Sequence, residues 1–420
     1  MFGYTGKILR VDLSSERVST EPLGEETAER YLGGKCLGAA ILYRELRPGI
    51  DPLGPDNRLI LLAGPLQGTT VPGSGRFAVV SKSPETHGYG ESHAGGTFGP
   101  LMKMAGYDAI IVEGRSEGPV YLDVVDDGVE IRGAGRLWGK DVYETEKGIR
   151  EGRKGRTSIV SIGPAGERLV RIACVINDLN RAAGRGGMGA VMGSKRLKAV
   201  AVTGTGGVDL YDERGLREHA KDIVARITKL PSMIDRQKYG TSAFASTLNA
   251  QGILPTKNFQ RGYFAGANKI DGHTMANTIL VGRRACYACP IACIRCVEVR
   301  EGPFAPVHPE MGGPEYETVA SLGSLLLIDD LTAIAKANEL CNLYGIDTIA
   351  VGVVLAYAME CYAREIFNRE ELDGVDLSWG NAEAMVRMVE KIGERDGVGD
   401  LLAEGVKRVA ERIGKGSEDF

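Results

Sequence analysis

The sequence predicts an α+β protein: a β-rich amino-terminal half, residues 1–207, followed by a mainly helical half, residues 208–420. Three observations predict it. Short β-branched runs punctuated by Gly, Pro, Asn and Asp fill the first half. Past Val208 the pattern changes to apolar residues recurring every three or four positions. Glycine makes up 58 of the 420 residues, dispersed without a repeat, which calls for many tight turns and close backbone approaches.

Taken in order, KILRVDL, RLILLAG, RFAVVSKS, DAIIVEG, PVYLDVV, TSIVSIG, LVRIACVI and LKAVAVTG read as strands. Helices fit at 25–37 and 143–152, so this half is too mixed for a simple doubly wound sheet. In the second half, LREHAKDIVARITKL sets Ile223, Ile227 and Leu230 on one stripe. DDLTAIAKANELCNLYG runs from an Asp cap to Gly345, and DTIAVGVVLAYAMECYARE, apolar on most sides, reads as a buried helix. AEAMVRMVEKIGER and DLLAEGVKRVAERIG close the chain, the second with Leu402, Val406, Val409 and Ile413 on one face and a stop at Gly414. A loop-rich insert over 252–320 carries the cysteines.

The formal charge of −4 leaves no basic footprint for nucleic acid. MFGYTGKILRVDL has no apolar signal core, and IAVGVVLAYAM at 349–359 is too short to span a bilayer. A cytoplasmic protein without a membrane segment is expected. In such a chain, clustered cysteines speak for metal or redox chemistry over disulfides.

Four of the eight cysteines lie in CYACPIACIRC, residues 286–296. Thiolates at this spacing converge only around a shared soft metal or a cluster. Zinc knuckles usually set a dozen or more residues between their pairs, and three separate them here. An iron–sulfur cube accepts close cysteines at three corners and a distant fourth. Cys286, Cys289 and Cys293 are the local three, with Pro290 stiffening the turn. Structural zinc and chance clustering of core cysteines stand as alternatives. Cys296 is either the fourth ligand or packs on the helix that follows.

Two glycine loops suit a phosphate-bearing ligand: GPLQGTTVPGSGR, ending at Arg76, and NRAAGRGGMGAVMGSK, residues 180–195. Glycines 184, 186, 187 and 189 would expose N–H groups to an anion, and Arg181 and Arg185 add fixed charge. ESHAGGTFG at 91–99, with His93, Gly95 and Gly96, is a third. Neither long loop has the Walker frame, and GRGGMG lacks the βαβ unit of a dinucleotide fingerprint. Tight-turn architecture is the competing reading for each.

In this order, GYTGKILRVDLS, DPLGPDNRLILLAGPL, GRFAVVSKSP, AGYDAIIVEG, SIGPAGE, NRAAGRGGMGAVMGSK, KNFQRG, CYACPIAC, GGPEYET and GIDTIAVG resemble the aldehyde ferredoxin oxidoreductase family over the whole chain. The resemblance implies a tungsten bis-molybdopterin enzyme, with molybdenum the less expected metal, that oxidises an aldehyde to a carboxylic acid. It implies a [4Fe–4S] cluster on Cys286, Cys289 and Cys293 that passes electrons to ferredoxin, in an anaerobic cytoplasmic setting and as a homo-oligomer. Arg76, His93, Ala182 and Arg185 would lie near the pterin phosphates, some through carbonyls to a bridging magnesium. The pterin motif D-x-x-G-L-(C/D) corresponds to Asn342-Leu-Tyr-Gly345-Ile346-Asp347, and Glu317 in GGPEYET to a buried glutamate that would move a proton near the metal.

Departures matter as well. Asn342 stands where the motif has Asp, offering one carbonyl and an amide in place of a two-oxygen acceptor. Lys336-Ala-Asn-Glu339 stands where some relatives have E-x-x-H for an interfacial metal, so none is expected. The family's further helical domain, which would carry the fourth cluster cysteine, is expected to be absent here, with the chain a fragment, one half of a split enzyme completed by a separate carboxy-terminal half or subunit, or a shortened relative. A non-catalytic iron–sulfur electron-transfer or cofactor-carrier subunit is the alternative function.

Overall fold

Strand β1 (Lys7–Asp12) shows how the first half is built: Leu9 and Val11 turn to one face, Ile8 to the other, and both faces are buried. The computed structural model describes residues Met1–Phe420. Around β1 forms a six-stranded sheet with β2 (Arg17–Pro22), β3 (Leu59–Leu62), β4 (Phe77–Lys82), β5 (Tyr89–Ala94) and β6 (Ala109–Glu113), in the order β2-β1-β6-β3-β4-β5. β1 and β6 are parallel and the other neighbours antiparallel.

A second six-stranded sheet comprises β7 (Val120–Val125), β8 (Gly128–Gly133), β9 (Thr157–Ser161), β10 (Val175–Asn177), β11 (Arg181–Ala183) and β12 (Leu197–Thr203). Its order is β11-β10-β9-β12-β7-β8, with β12 and β7 parallel. Leu59 and Leu61 of β3 share one core with Leu122, Val124, Val160 and Val200 of the second sheet. Ile60 and Leu62 point into another, closed by Ala28, Leu37 and Leu42 of the helices Glu25–Tyr31 and Gly34–Glu45. Each such side chain contributes about 1.5–3 kcal/mol on burial. A one-residue slip of β3 would exchange the two sets, which fixes its register.

Some sequence expectations change. The helix expected over 25–37 is two helices, broken at Leu32 (φ +58°) and at Gly33, where a Cβ would lie 2.9 Å from the Ala63 carbonyl. The second helix is Val142–Arg150, opened by the Asp141 side chain accepting from the Glu144 N–H. LVRIACVI contributes only its end to β10, because Arg171–Cys174 is turn and bridge rather than strand.

The chain divides into two compact units, Met1–Thr228 with Ala285–Pro290, and Lys229–Arg284 with Ile291–Phe420. The division falls one helix, Glu213–Ile227, after the expected boundary at Val208. That helix ends at Ile227; Leu230 is exposed and starts the next helix, Pro231–Tyr239, so it leaves the expected stripe.

In the second unit, Asp330 and Asp347 cap the helices Leu331–Tyr344 and Thr348–Ala363, and Gly345 ends the first in a left-handed conformation (φ +72°). The second of these is buried on most sides, as expected. The last expected helix is broken by Gly405 (φ +83°) into Val398–Leu402 and Val406–Ile413, which takes Leu402 off the common face. A hairpin of β13 (Leu280–Arg284) and β14 (Ile294–Val297) brackets the cysteine loop in sequence. No helix is long and apolar enough to cross a membrane.

Candidate cluster loop and cofactor cradle

Backbone bonds pin the tip of the cysteine loop. The Tyr287 N–H donates to the Gly96 carbonyl (3.1 Å), the Gly73 N–H to the Ala288 carbonyl (3.2 Å), and the Cys289 N–H turns back to the Cys286 carbonyl (3.1 Å). Ala288 and Ala292 each directly precede a cysteine, and each sits at φ +51°. That conformation costs an alanine about 1–2 kcal/mol and persists only where the surroundings impose it. It turns successive cysteines of the repeated A-C step the same way. Cys286, Cys289 and Cys293 are half-buried and free of disulfides.

Cys286 rests on a glycine. A Cβ on Gly95 would lie 2.5 Å from Cys286 Sγ and 4.0 Å from Arg181 Cδ, so Gly95 is where the cysteine loop meets the arginine loop. Beneath it, Asn177 Nδ2 donates to the Gly95 carbonyl (2.7 Å). Asp178 accepts from the Thr97 N–H (3.1 Å), the Thr97 hydroxyl (2.8 Å) and the Ser158 hydroxyl (2.8 Å). Gly96 (φ +92°) leaves no room for a Cβ, which would fall 2.2 Å from Asn177 Nδ2. Below this layer Glu146 accepts from the Leu179 N–H (2.8 Å) and pairs with Arg150 (3.0 Å), which also reaches Asp178 (3.5 Å). Burial, and then the Asp178 charge, push the Glu146 carboxyl up to about 7.

The other expected cofactor residues of the first unit gather on the two edge strands β5 and β11 and on the loop before β4. His93 lies on β5 with Nε2 3.7 Å from Glu91, itself paired with Lys35. Arg76 and His93 line a cavity of about 370 Å³ with Ser74. Ala182 is exposed on β11, and the Arg185 N–H donates to the Ser92 hydroxyl of β5 (3.0 Å). Gly184 is half-buried in a right-handed turn. Gly187 and Gly189 serve packing: a Cβ there would lie 2.3 Å and 2.4 Å from the carbonyls of Arg171 and Cys174. Because β11 is three residues long and antiparallel to β10, GRGGMG has no dinucleotide-binding frame here.

Whether such a site suits its implied cofactors can be judged from its atoms. Ser74 Oγ and Arg181 Nε are buried without a hydrogen-bond partner. Buried donors left unmet cost about 1–3 kcal/mol each, and phosphate or pterin oxygens would meet them. The thiol loop suits an iron–sulfur cube by donor chemistry. No three His, Cys, Asp or Glu side chains close on a single-ion site; the thiolates of a cube each bind a different iron and stand wider apart.

In the second unit, Cys296 is buried in β14 opposite Gly282 of β13. Beside it lies Arg295, fully buried and unflagged by the sequence reading. Its Nε donates to the Cys293 carbonyl (2.9 Å), NH1 to Lys238 (2.9 Å), and NH2 to Ala292 (2.8 Å) and Gln237 (3.0 Å). Burial draws this guanidinium below its usual pKa, against the pull of Glu315. Asn342 is buried and donates to the Met311 carbonyl (2.8 Å), while Asp347 caps a helix and Ile346 is buried after Gly345. Glu339 is held by His308 and Lys336. Glu317, expected to be buried, is exposed in the first turn of the helix Tyr316–Leu322. That turn opens toward solvent and buries Thr318 and Val319 instead.

A glycine-floored anion cradle sharing a residue with a thiol loop defines a class: proteins that hold a phosphate-bearing cofactor beside an iron–sulfur cluster. Two family models then match, the aldehyde ferredoxin oxidoreductase N-terminal domain over residues 8–204 and domains 2 and 3 over residues 218–420. The chain belongs to the aldehyde ferredoxin oxidoreductase family. It is 45% identical over 417 residues to the tungsten-containing aldehyde ferredoxin oxidoreductase of Pyrococcus furiosus, covering 99% of this chain and 68% of that protein. With the enzyme of the same description from Pyrococcus abyssi it shares 44% over 426 residues, 100% of this chain and 69% of the other. The aliphatic sulfonate oxidoreductase WOR-like subunit of P. furiosus is 36% identical over 432 residues, 98% of this chain and 68% of that subunit. Among solved structures, the active site complex BamBC of benzoyl coenzyme A reductase superposes with a TM-score of 0.85 at 29% identity, covering 100% of this chain and 64% of that one. The chain thus spans about two thirds of the length of the relatives it matches.

Proposed function

We propose that this chain is the cofactor-and-cluster portion of a tungstopterin-dependent oxidoreductase of the cytoplasm that oxidises aldehydes to carboxylic acids with ferredoxin as acceptor. The single observation that carries the reading is Gly95, flanked by Cys286 Sγ and by Arg181. It brings an electron-transfer loop and an anion cradle to one residue, which is what two-electron chemistry coupled to a one-electron carrier requires. In balance, an aldehyde and water give a carboxylate, three protons and two electrons, and two ferredoxins take the electrons singly.

When bound, the tungsten pterin supplies the oxygen-transfer redox couple. The residues of this chain bind and orient. Arg76, Arg181 and Arg185 set cationic charge against the pterin phosphates, with Gly95, Gly96 and Gly184 admitting close backbone approach. His93 and Ala182 would offer carbonyls to a magnesium ion. Asn342, Gly345, Ile346 and Asp347 form the motif that meets a pterin edge. Cys286, Cys289 and Cys293 ligate the cube. Glu317, whose exposed carboxylate is free to exchange with water, carries a proton at the reacting end.

Metal analysis of anaerobically purified protein, with aldehyde-dependent reduction of benzyl viologen, tests the reading. About four iron per chain, tungsten and aldehyde-dependent reduction support it. Zinc alone would sink it, and iron without tungsten would favour a carrier subunit.

A further inference from the structure

The Cys286 end of the cysteine loop opens on a second cavity, about 460 Å³, lined by Thr70, Thr97, Arg156, Cys286, Tyr287 and Ala288, among others. Arg156 is exposed and forms no ion pair, and neither does exposed Lys154 two residues before it. Their neighbours differ: Arg150 is engaged by Glu146, and Arg153 by Asp123. The Thr70 and Tyr287 hydroxyls are uncommitted, no Asp or Glu lines the cavity, and the carboxylate that holds Thr97, Asp178, is also occupied by Ser158 and Arg150. A guanidinium with two free hydroxyls and no facing acid is a receptor for a carboxylate. The cavity admits side chains but not a folded protein, so it suits an anchor point within a larger contact.

We infer that this cavity, with the Lys154 and Arg156 loop beside it, is the docking surface for an acidic one-electron carrier protein, one of whose carboxylates enters against Arg156. The inference rests on the proposed function and adds where the acceptor binds. Cys286, which would ligate the cluster, lines the cavity, so a carrier anchored there would sit against the cluster's edge. The whole chain carries a formal charge of −4, so an acidic carrier gains no attraction from the net charge and depends on a local basic loop such as this one. Electron-transfer complexes are small and depend on charge to set encounter rate and orientation.

The test compares the wild type with the double variant Lys154→Glu, Arg156→Glu and the milder Lys154→Gln, Arg156→Gln. Each is assayed for aldehyde-dependent reduction of an acidic ferredoxin and of benzyl viologen, across ionic strength, with calorimetric titration of ferredoxin onto the protein. The charge-reversed variant should raise the KM for ferredoxin and weaken its binding at least tenfold at low salt, with viologen turnover and iron content within twofold of wild type. The glutamine variant should fall between, and the gap should narrow as salt screens the charges. Unchanged ferredoxin KM and affinity in a variant that still reduces viologen overturns the docking surface. So does an equal loss with both acceptors. A wild type that reduces neither viologen nor ferredoxin when aldehyde is added overturns the function beneath it, a separate result.

Discussion

Arg295→Met removes a buried cation that ties two segments together. Its four bonds reach the carbonyls of Ala292 and Cys293 in the cysteine loop and of Gln237 and Lys238 in the last turn of the helix Pro231–Tyr239. The helix end therefore gains a cation on carbonyls that have no partner within the helix. Bonds from a charged donor contribute about 1.5–3 kcal/mol each, so four amount to about 6–12 kcal/mol. Keeping a guanidinium out of water costs several kcal/mol in return, which leaves a net loss on substitution of about 3–5 kcal/mol. At about 2–4 °C per kcal/mol for a unit of this size, the thermal midpoint should fall by about 10 °C. Freed carbonyls at Ala292 and Cys293 should also release the loop, so iron per chain should drop. Arg295→Lys keeps the charge but offers three donors from a single nitrogen and should recover about half of the loss. Calorimetry and iron analysis on anaerobic protein read both effects. A midpoint within 2 °C of wild type, with full iron content, would refute the idea that Arg295 fixes the loop.

Gly95→Ala places a methyl 2.5 Å from Cys286 Sγ and should cut iron content and visible absorbance, with full occupancy counting against the shared glycine. Cys289→Ser should abolish the cluster absorbance, whereas Cys296→Ser, in a buried strand, should leave it if a distant cysteine completes the cube; loss in the second variant would make Cys296 the fourth ligand. Glu317→Gln should keep both cofactors and slow aldehyde turnover at least tenfold, and full activity would dismiss it as a proton carrier. Glu146 has a folded pKa raised from 4.5 to about 7, so ionising it opposes folding: the cost is absent below pH 4.5, grows up to about pH 7, and is then constant. The difference amounts to about 3 kcal/mol. Glu146→Gln should therefore gain stability relative to wild type by about that much between pH 4.5 and 8, and parallel thermal midpoints across that range would exclude it.

What the sequence revealed and what it hid divide along a physical line. The strands read correctly from their runs, among them β1, β3, β4, β6, β7, β9 and β12, are interior strands, and burial on both faces makes such a segment continuously apolar. Six strands were passed over: β2, β5, β8 and β11, each the outermost strand of its six-stranded sheet, and β13 and β14, which pair only with each other. An edge strand has one neighbour, partly meets water, and carries charge to discourage further pairing. RVSTEP, YGESHA and GVEIRG show this, and RAA is too short to show any period. Helix limits were legible where an Asp cap and a left-handed Gly marked them, at Asp330, Gly345 and Asp347, and misread where one glycine, Gly405, divided an unbroken apolar stripe.

The same line explains the site. His93, Arg181 and Ala182 lie on β5 and β11, where backbone and side chains not spent on a neighbouring strand remain for a ligand. The strand pattern is therefore weakest at the residues proposed to hold the cofactor, and only the motifs GRFAVVSKSP, ESHAGG and NRAAGRGG marked them. The residues that support them, Asn177, Glu146 and Arg295, are buried polar groups whose purpose depends on partners 33 to 82 positions away, such as Gly95, Leu179, Gln237 and Lys238. No local spacing announces such a group. A buried polar side chain costs stability unless every bond is made, so its presence beneath Gly95 and behind Cys293 is itself the evidence that those two positions must be held still.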